Sequence, residues 1–207
     1  MADYKDFGFS TTGPVFVHQY IAAPVIKLLD NKKDRTILDL GCGNGSLVIR
    51  LLNEGFDAYG TDASESGINM ASKSAPERFA VQDLSKDDLP EKFEHLSFDT
   101  IISTEVIEHL YDPRKFISFS KNILLKNGGG DLIITTPYHG YLKNLLLSIA
   151  GKWDRHANPL FDGGHIKLWS RNTLTKLLTE QGFKVTDFVG CGRVPYIWKS
   201  MIIKAKI

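Results

Sequence analysis

Short apolar runs alternate with amphipathic stretches along most of the chain. Seven apolar runs have the length of buried strands, and we predict strands at residues 36–40, 58–62, 78–81, 98–103, 131–136, 183–189 and 199–206. Apolar positions with helical spacing predict helices at residues 46–54, 65–74, 113–126 and 171–181. This alternation is typical of an α/β fold, in which a mostly parallel sheet is covered by helices.

Two local signals support the ends of these helices. Asp112 precedes Pro113, which is the order expected for an N-cap acceptor followed by proline in the first turn. Gly182 follows the last predicted helix, where a left-handed residue commonly ends a helix.

Three segments fall outside the alternation. Residues 1–33 contain a possible helix at 15–30, and residues 137–165 form a long connection with a short apolar helix at 142–150. Residues 190–196 join the last two strands. We expect one domain over residues 1–207, with 1–33 as an N-terminal cap and 137–165 as an insertion on the acceptor side, because ligands of open α/β sheets bind at the carboxyl edge.

Composition and charge limit the partners. The chain is 43% hydrophobic, carries a net charge of +1 and has two cysteines, Cys42 and Cys191, which are too few for a disulfide framework. No long basic run occurs, so the composition gives no support for a nucleic-acid partner and does not exclude one. Residues 1–8, with Asp3, Lys5 and Asp6, have no apolar signal core, and no stretch approaches the ~18 apolar residues of a membrane span. We expect a cytoplasmic protein without a transmembrane segment; its oligomeric state stays open.

A glycine-rich turn follows the first strand. Asp39 and Leu40 lead into Gly41, Gly43 and Gly45, and an acidic residue, Asp62, ends the next predicted strand. Glycines let the backbone approach a ligand, and an acid at this distance is able to accept both ribose hydroxyls. The first alternative is a nicotinamide-dependent dehydrogenase. Its dinucleotide-binding motif, G-x-G-x-x-G/A, has a third small residue where this chain has Ser46. Asp39 would crowd a pyrophosphate and suits a cationic ligand end instead.

These motifs resemble those of class I S-adenosylmethionine-dependent methyltransferases. The resemblance covers about residues 36–137 and includes Gln82-Asp83-Leu84, the strand from Phe98 to Ser103, and the glycines at 128–130 before the fifth strand. It implies a seven-stranded, doubly wound, mostly parallel sheet with the last strand antiparallel. It also implies that Gly41 and Gly43 face the methionine part of the cofactor, with Asp62 at the ribose and Asp83 and Leu84 at the adenine.

A second group of polar residues follows the fourth strand. Glu105, Glu108 and His109 are spaced so that, on a helical turn, they would share a face. Two hypotheses fit this pattern. Either His109 acts as a general base on an acceptor hydroxyl, or the three residues bind a divalent cation such as Mg²⁺, Mn²⁺ or Zn²⁺. In a further alternative Glu105 meets the cofactor from the strand end.

His165 offers a fourth candidate metal ligand. Glu-x-x-Glu-His with a later histidine resembles two groups of the family, the ubiquinone-biosynthesis O-methyltransferases and the small-RNA 2′-O-methyltransferases, and the second group implies a metal held by Glu105, Glu108, His109 and His165. Aromatic and cationic residues of the 137–165 connection, among them Tyr138, His139 and His156, are candidates for an acceptor pocket.

The function we expect is methyl transfer from S-adenosylmethionine to an oxygen of a small acceptor, such as a phenol, a quinol or a hydroxy compound. A base or a metal at the acceptor favours oxygen, because an alcohol or phenol must lose its proton. The alternatives are a metal-dependent RNA 2′-O-methyltransferase and a non-catalytic cofactor-binding domain.

Overall fold

The computed structural model describes residues 6, 8–86, 88–161 and 163–207. Asp3 and Lys5 of the N-terminal segment lie outside the described residues. The strands are β1 Thr36–Leu40, β2 Asp57–Asp62, β3 Phe79–Val81, β4 Thr100–Thr104, β5 Asp131–Pro137, β6 Lys184–Cys191 and β7 Ser200–Lys206. The helices are α1 His18–Leu28, α2 Ser46–Asn53, α3 Glu65–Ser72, α4 Pro113–Leu125, α5 Tyr141–Ile149, α6 Trp153–Ala157 and α7 Arg171–Glu180.

The strands form one sheet in the order β3-β2-β1-β4-β5-β7-β6. The first five are parallel to their neighbours, with Ile37 opposite both Ala58 and Thr100. β7 runs antiparallel to β5 and to β6. The expected seven-stranded, mostly parallel sheet with an antiparallel last strand is confirmed.

Two apolar layers cover the faces of the sheet. One layer joins Leu38 and Leu40 of β1 to residues of α4 and α7, including Phe116 and Leu178. The other joins Ile37 of β1 to residues of α1 and α2. Successive residues of β1 therefore contribute to opposite layers, which explains why the parallel strands are apolar on both faces.

The predicted elements agree with the structure to within a few residues. Asp112 caps α4 by accepting a hydrogen bond from Lys115 N at 3.0 Å, and Gly182 adopts a left-handed φ of 90° after α7. The pattern did not predict α6, which has one half-buried aromatic residue, Trp153, at its start.

The carboxyl ends of β1 and β4 mark the point where the strand order reverses. In open α/β sheets, crevices for ligands form outside the sheet at this reversal. The glycine turn follows β1, and the Glu105–His109 segment follows β4, so the two candidate sites are neighbours. None of the described helices is both long and apolar enough to cross a bilayer.

Candidate functional site

The turn after β1 is built on glycines with left-handed backbone angles. Gly41 and Gly43 have φ values of 84° and 57°, which side-chain-bearing residues adopt at a cost. A Cβ on Gly41 would also collide with Val106, which follows β4. The turn is therefore in direct contact with the segment that carries Glu105, Glu108 and His109.

Asp62 holds this turn from the end of β2. Its two carboxylate oxygens accept hydrogen bonds from Gly43 N and Ser64 N, each at 2.7 Å. Burial raises the pKa of Asp62, and these two hydrogen bonds oppose the shift. Each carboxylate oxygen accepts more than one hydrogen bond, so Asp62 retains acceptor capacity toward ribose hydroxyls.

Asp39 is the most deeply buried acid of the site. The side chain is inaccessible to solvent, and neither carboxylate oxygen has a hydrogen-bond partner among the described residues. Burial, and then the neighbouring charge of Asp62, raise the pKa of Asp39 to about 8. A buried acid of this kind favours a positively charged ligand group beside it.

Asp83 and Leu84 lie at the end of β3, the outermost strand on this side. Asp83 is exposed and accepts a hydrogen bond from Ser85 N at 2.9 Å. Leu84 is half-buried and packs against the apolar layer. The ends of β1, β2 and β3 thus present the glycine turn, Asp62 and Asp83 in a row along one edge of the sheet.

Glu105 begins the segment after β4 in a conformation that the sequence did not predict. Its φ is 55°, and its N–H donates to Thr135 O at 3.1 Å, which extends the pairing of β4 with β5. Only Ile107–His109 form a short 3₁₀ helix. Glu105, Glu108 and His109 therefore do not share a helical face, and the helical turn considered for them is wrong.

The carboxylate of Glu105 is held by hydroxyl groups. Thr135 Oγ1 donates to one oxygen at 2.8 Å, and Ser200 Oγ donates to the other at 3.2 Å. Burial raises the pKa of Glu105 to about 7, against the effect of these hydrogen bonds.

Glu108, His109 and His165 come together, and we call them the Glu-His-His group. Their ligand atoms all lie within 4.8 Å of one another. Glu108 Oε1 is 4.0 Å from Nε2 of each histidine, and the ring centroids of the histidines are 4.9 Å apart. Glu105, the fourth residue considered as a ligand, is not a member of this group of described residues.

Backbone hydrogen bonds bring His165 to Glu108. The N–H groups of Ile166 and Lys167 donate to Glu108 O at 2.9 and 3.0 Å. His109 Nδ1 lies 2.8 Å from Gly163 O, a contact in which Nδ1 is the donor, so Nε2 is the acceptor in this tautomer. The long connection thus folds back over the sheet edge.

The hydrogen bonding and the pKa shifts of the Glu-His-His group fit a bound cation. Thr136 Oγ1 donates to Glu108 Oε2 at 2.9 Å, whereas buried Oε1 has no partner among the described residues. Burial, and then the charge of Glu105, raise the pKa of Glu108 well above its usual value. Burial, and then the electrostatic effect of His109, lower the pKa of His165 to about 4, so this imidazole is neutral at pH 7, as a metal ligand must be.

The N-terminal segment reaches the same edge, which sequence reasoning anticipated only as a general possibility. Asp6 accepts hydrogen bonds from Ser64 Oγ at 2.5 Å and from Ser66 N at 3.0 Å. Asn44 Nδ2 donates to Thr11 O and Gly13 O, each at 2.8 Å. These polar residues have no periodic pattern, so no sequence signal identified the contacts.

His18, at the start of α1, also lies at this edge, and the sequence analysis did not identify it as a candidate. Its Nδ1 is 3.0 Å from Ser46 Oγ, and its Nε2 is 3.3 Å from Thr104 Oγ1. Burial lowers the pKa of His18 to about 4. The neutral ring therefore links the helix after the glycine turn to the end of β4.

The candidate acceptor residues of the 137–165 connection lie beside this edge. His139 is buried, stacks on Trp153 at 6.4 Å and meets His156 at 5.2 Å between ring centroids. Tyr138 is buried and packs on Trp198 at 5.1 Å. Tyr141, in contrast, is 83% exposed.

A family model described as a methyltransferase domain matches residues 16–187. The chain belongs to this methyltransferase-domain family. A ubiquinone biosynthesis O-methyltransferase from Dinoroseobacter shibae is 29% identical over 175 residues, which cover 76% of this chain and 63% of that protein. An uncharacterized methyltransferase from Bacillus mycoides is 30% identical over 121 residues, covering 58% of this chain and 53% of that protein. The chain thus spans less than two thirds of the length of these relatives.

A solved structure shares the fold of this methyltransferase-domain protein. The crystal structure of magnesium protoporphyrin IX methyltransferase from Synechocystis with bound SAH superposes with a TM-score of 0.67. The two proteins are 23% identical, and the match covers 97% of this chain and 90% of that one. The resemblance to class I methyltransferases is confirmed at the level of family and fold.

Proposed function

We propose that this protein transfers a methyl group from S-adenosylmethionine to an oxygen of a small acceptor. The observation that carries the proposal is the Glu-His-His group, which lies just after Val106, the residue in contact with the glycine turn. We therefore assign the acceptor to the side of the Glu-His-His group and the methionine end of the cofactor to the glycine turn next to it.

We assign the cofactor to the edge formed by β1, β2 and β3. Gly41 and Gly43 would face the methionine part, Asp62 the ribose, and Asp83 with Leu84 the adenine. Asp39 supports this assignment, because its unpartnered, buried carboxyl favours a ligand that brings an ammonium group. We place Glu105 opposite the positively charged sulfonium, since its buried carboxylate is likewise stabilised by a cation.

We assign a divalent cation to Glu108, His109 and His165. The unpartnered Glu108 Oε1 and the neutral His165 fit this role, and a donor set of two imidazoles and one carboxylate suits Zn²⁺ or Mn²⁺ better than Mg²⁺, which prefers oxygen. When bound, such an ion acts as a Lewis acid that lowers the pKa of a nearby hydroxyl group.

The chemistry needs positioning more than covalent help. The acceptor oxygen attacks the methyl carbon in line with the carbon–sulfur bond, a carbon–oxygen bond forms, and sulfur keeps the electron pair of the bond that breaks. The acceptor hydroxyl proton leaves to water at the half-exposed edge of the Glu-His-His group. Alignment and exclusion of bulk water contribute up to several kcal/mol to such a step.

Transfer of radiolabelled methyl groups from S-adenosylmethionine tests the proposal. We expect label on phenols, quinols or other hydroxy compounds, as methyl ethers, and loss of most turnover with a chelator. Label found only on nitrogen or carbon would contradict transfer to oxygen. Label found only on RNA would contradict a small-molecule acceptor. Activity that a chelator does not change would contradict a requirement for the cation.

Binding of Mn²⁺ tests the ligand set without an acceptor. We expect His165→Gln to weaken Mn²⁺ binding, measured by electron paramagnetic resonance, by about tenfold or more. His95→Gln is the matched control, because His95 is exposed and is not a member of the Glu-His-His group. Equal Mn²⁺ affinity in the two variants would contradict the assignment.

A further inference from the structure

A cavity of about 630 Å³ lies between α5, the residues that follow it and the turn between β6 and β7. Lys143 ties the cavity to the sheet edge, because its Nζ donates to Tyr138 O at 2.7 Å and to Lys199 O at 3.3 Å. Tyr138 follows β5 directly, and Thr136 near the end of that strand binds Glu108. The cavity is therefore adjacent to the Glu-His-His group.

Positive charge is concentrated in this cavity. No acidic residue is among the described residues that line it, and its five cationic lining residues are Lys143, Lys152, Arg155, Arg193 and Lys199. In the described part of the chain, no carboxylate forms an ion pair with any of the five. The whole chain has a net charge of only +1, so the concentration is local and would be stabilised by an anion.

The cations repel one another at the buried end of the cavity. Lys143 is 6% exposed, and burial, followed by the charge of Arg193, lowers the pKa of Lys143 to about 8. His156, which also lines the cavity, has a pKa lowered by burial and then by Lys143 and Arg193. A bound anion would reverse the effect of these like charges.

The rest of the lining is apolar. Leu146, Leu147 and Ala150 line the cavity from α5 and its C-terminus, Phe16 lines it from the residues before α1, and Ile197 lines it from the turn between β6 and β7. Phe16 is 65% exposed and Leu146 is 46% exposed, so apolar surface remains available to a ligand. An apolar lining with convergent charges is typical of sites that bind small molecules.

We propose that this cavity binds the methyl acceptor, and that the acceptor is an anionic amphiphile, an apolar chain or ring system that carries a phosphate or carboxylate group. The five cations bind the anionic group, and the leucine side chains of α5 contact the apolar part. This inference rests on the proposed function, because it names the substrate class for the same site.

Calorimetry with octyl phosphate as the probe, below its micelle-forming concentration, tests the assignment. We expect octyl phosphate to bind at least tenfold more tightly than either octyl glucoside or inorganic phosphate, because only octyl phosphate combines both features. Octanoate replaces the phosphate by a carboxylate and shows which anion is preferred. Equal affinities of octyl phosphate and octyl glucoside would overturn the role of the charges.

Charge-removing variants locate the binding site. The double substitution Lys152→Gln and Arg193→Gln should weaken octyl phosphate binding at least tenfold, since both side chains are exposed lining residues. Lys184→Gln is the matched control, because Lys184 is exposed at the opposite end of β6. Equal loss in the control would place the probe elsewhere.

Two further outcomes separate this inference from its alternatives. Binding to phosphatidylglycerol vesicles without binding of monomeric octyl phosphate would assign the charges to a membrane surface and overturn the proposal. Octyl phosphate binding together with an absence of methyl transfer to any acceptor would retain the anion site but contradict the proposed function. Methyl transfer to small acceptors by a protein that does not bind octyl phosphate would contradict this inference alone.

Discussion

Three acidic residues lie at the carboxyl edge of the sheet, of which Asp39 and Glu108 are buried and Glu105 is half-buried. Asp39 and Glu108 have carboxylate oxygens without partners among the described residues, and Glu105 is held only by hydroxyl groups. A buried carboxylate without a cation is costly. The proposed function would supply a positive charge to each of the three: the ammonium to Asp39, the sulfonium to Glu105 and a divalent cation to Glu108.

The elevated pKa of Asp39 predicts a pH dependence of cofactor binding. In the free protein the carboxyl is mostly protonated below about pH 8, whereas a bound ammonium stabilises the ionised form. Binding of S-adenosylhomocysteine should therefore release a proton, and its affinity should rise between pH 6 and pH 8 by up to about tenfold per pH unit. Calorimetry in two buffers of different ionisation enthalpy measures the proton release.

Asp39→Asn is the control for this pH dependence. The variant should bind S-adenosylhomocysteine more weakly at pH 8 and show a smaller slope. An affinity that is constant from pH 6 to pH 8 in the wild-type protein would contradict the ammonium assignment.

Glu105→Gln should distinguish between the two forms of the cofactor. S-adenosylmethionine carries the sulfonium charge and S-adenosylhomocysteine does not, so loss of the carboxylate should weaken binding of the first by about three- to tenfold relative to the second. The pair of dissociation constants, measured by calorimetry, gives this ratio. The glutamine retains an oxygen that accepts the hydrogen bond of Thr135 or Ser200. An equal change for both ligands would indicate a structural role.

The element that joins cofactor and acceptor sites is the turn between β1 and α2. Gly41 lets the backbone lie against Val106, which precedes the 3₁₀ helix that carries Glu108 and His109. The glycines of the turn have no side chains to pack, so the shape of the turn depends on hydrogen bonds to Asp62 and on the neighbouring strands.

Gly41→Ala tests this contact. The substitution adds a Cβ at a φ of 84° and collides with Val106, and we expect S-adenosylhomocysteine binding to weaken by more than tenfold. Gly55→Ala is a matched control, because Gly55 has a φ of 83° and nothing within 4 Å of the added Cβ. Both variants should lose about 1–2 kcal/mol of stability from the backbone conformation, measured by urea unfolding, but only the first should lose affinity. Similar affinities would contradict the close approach.

Regular elements were predictable from the sequence, whereas their connections were not. β1, for example, begins and ends as predicted because its apolar run is short and bounded by polar residues and glycine. The left-handed Glu105 and the 3₁₀ helix Ile107–His109 depend on pairing with β5, which is distant in sequence. The approach of His165 to Glu108 depends on two backbone hydrogen bonds, and backbone hydrogen bonds cannot be predicted from the residue types.

At the scale of the whole molecule, the reversal of strand order determines where chemistry can occur. β1 and β4 are neighbours although α2, β2, α3 and β3 separate them in the chain. Candidate cofactor residues extend from β1 toward β3, and candidate acceptor residues extend from β4 toward β7. The described N-terminal residues contact the first set, and the 137–165 connection contacts the second.

The central claim is that the edge formed by β1, β2 and β3 binds an S-adenosyl cofactor, and calorimetric titration of the wild-type protein and Asp62→Asn tests it most directly. We expect micromolar binding of S-adenosylhomocysteine, no comparable binding of NADH, and at least tenfold weaker binding by the variant, because hydrogen bonds from ribose hydroxyls to a charged acceptor contribute about 1.5–3 kcal/mol each. Tighter binding of NADH, or an unchanged dissociation constant in Asp62→Asn, would contradict the account.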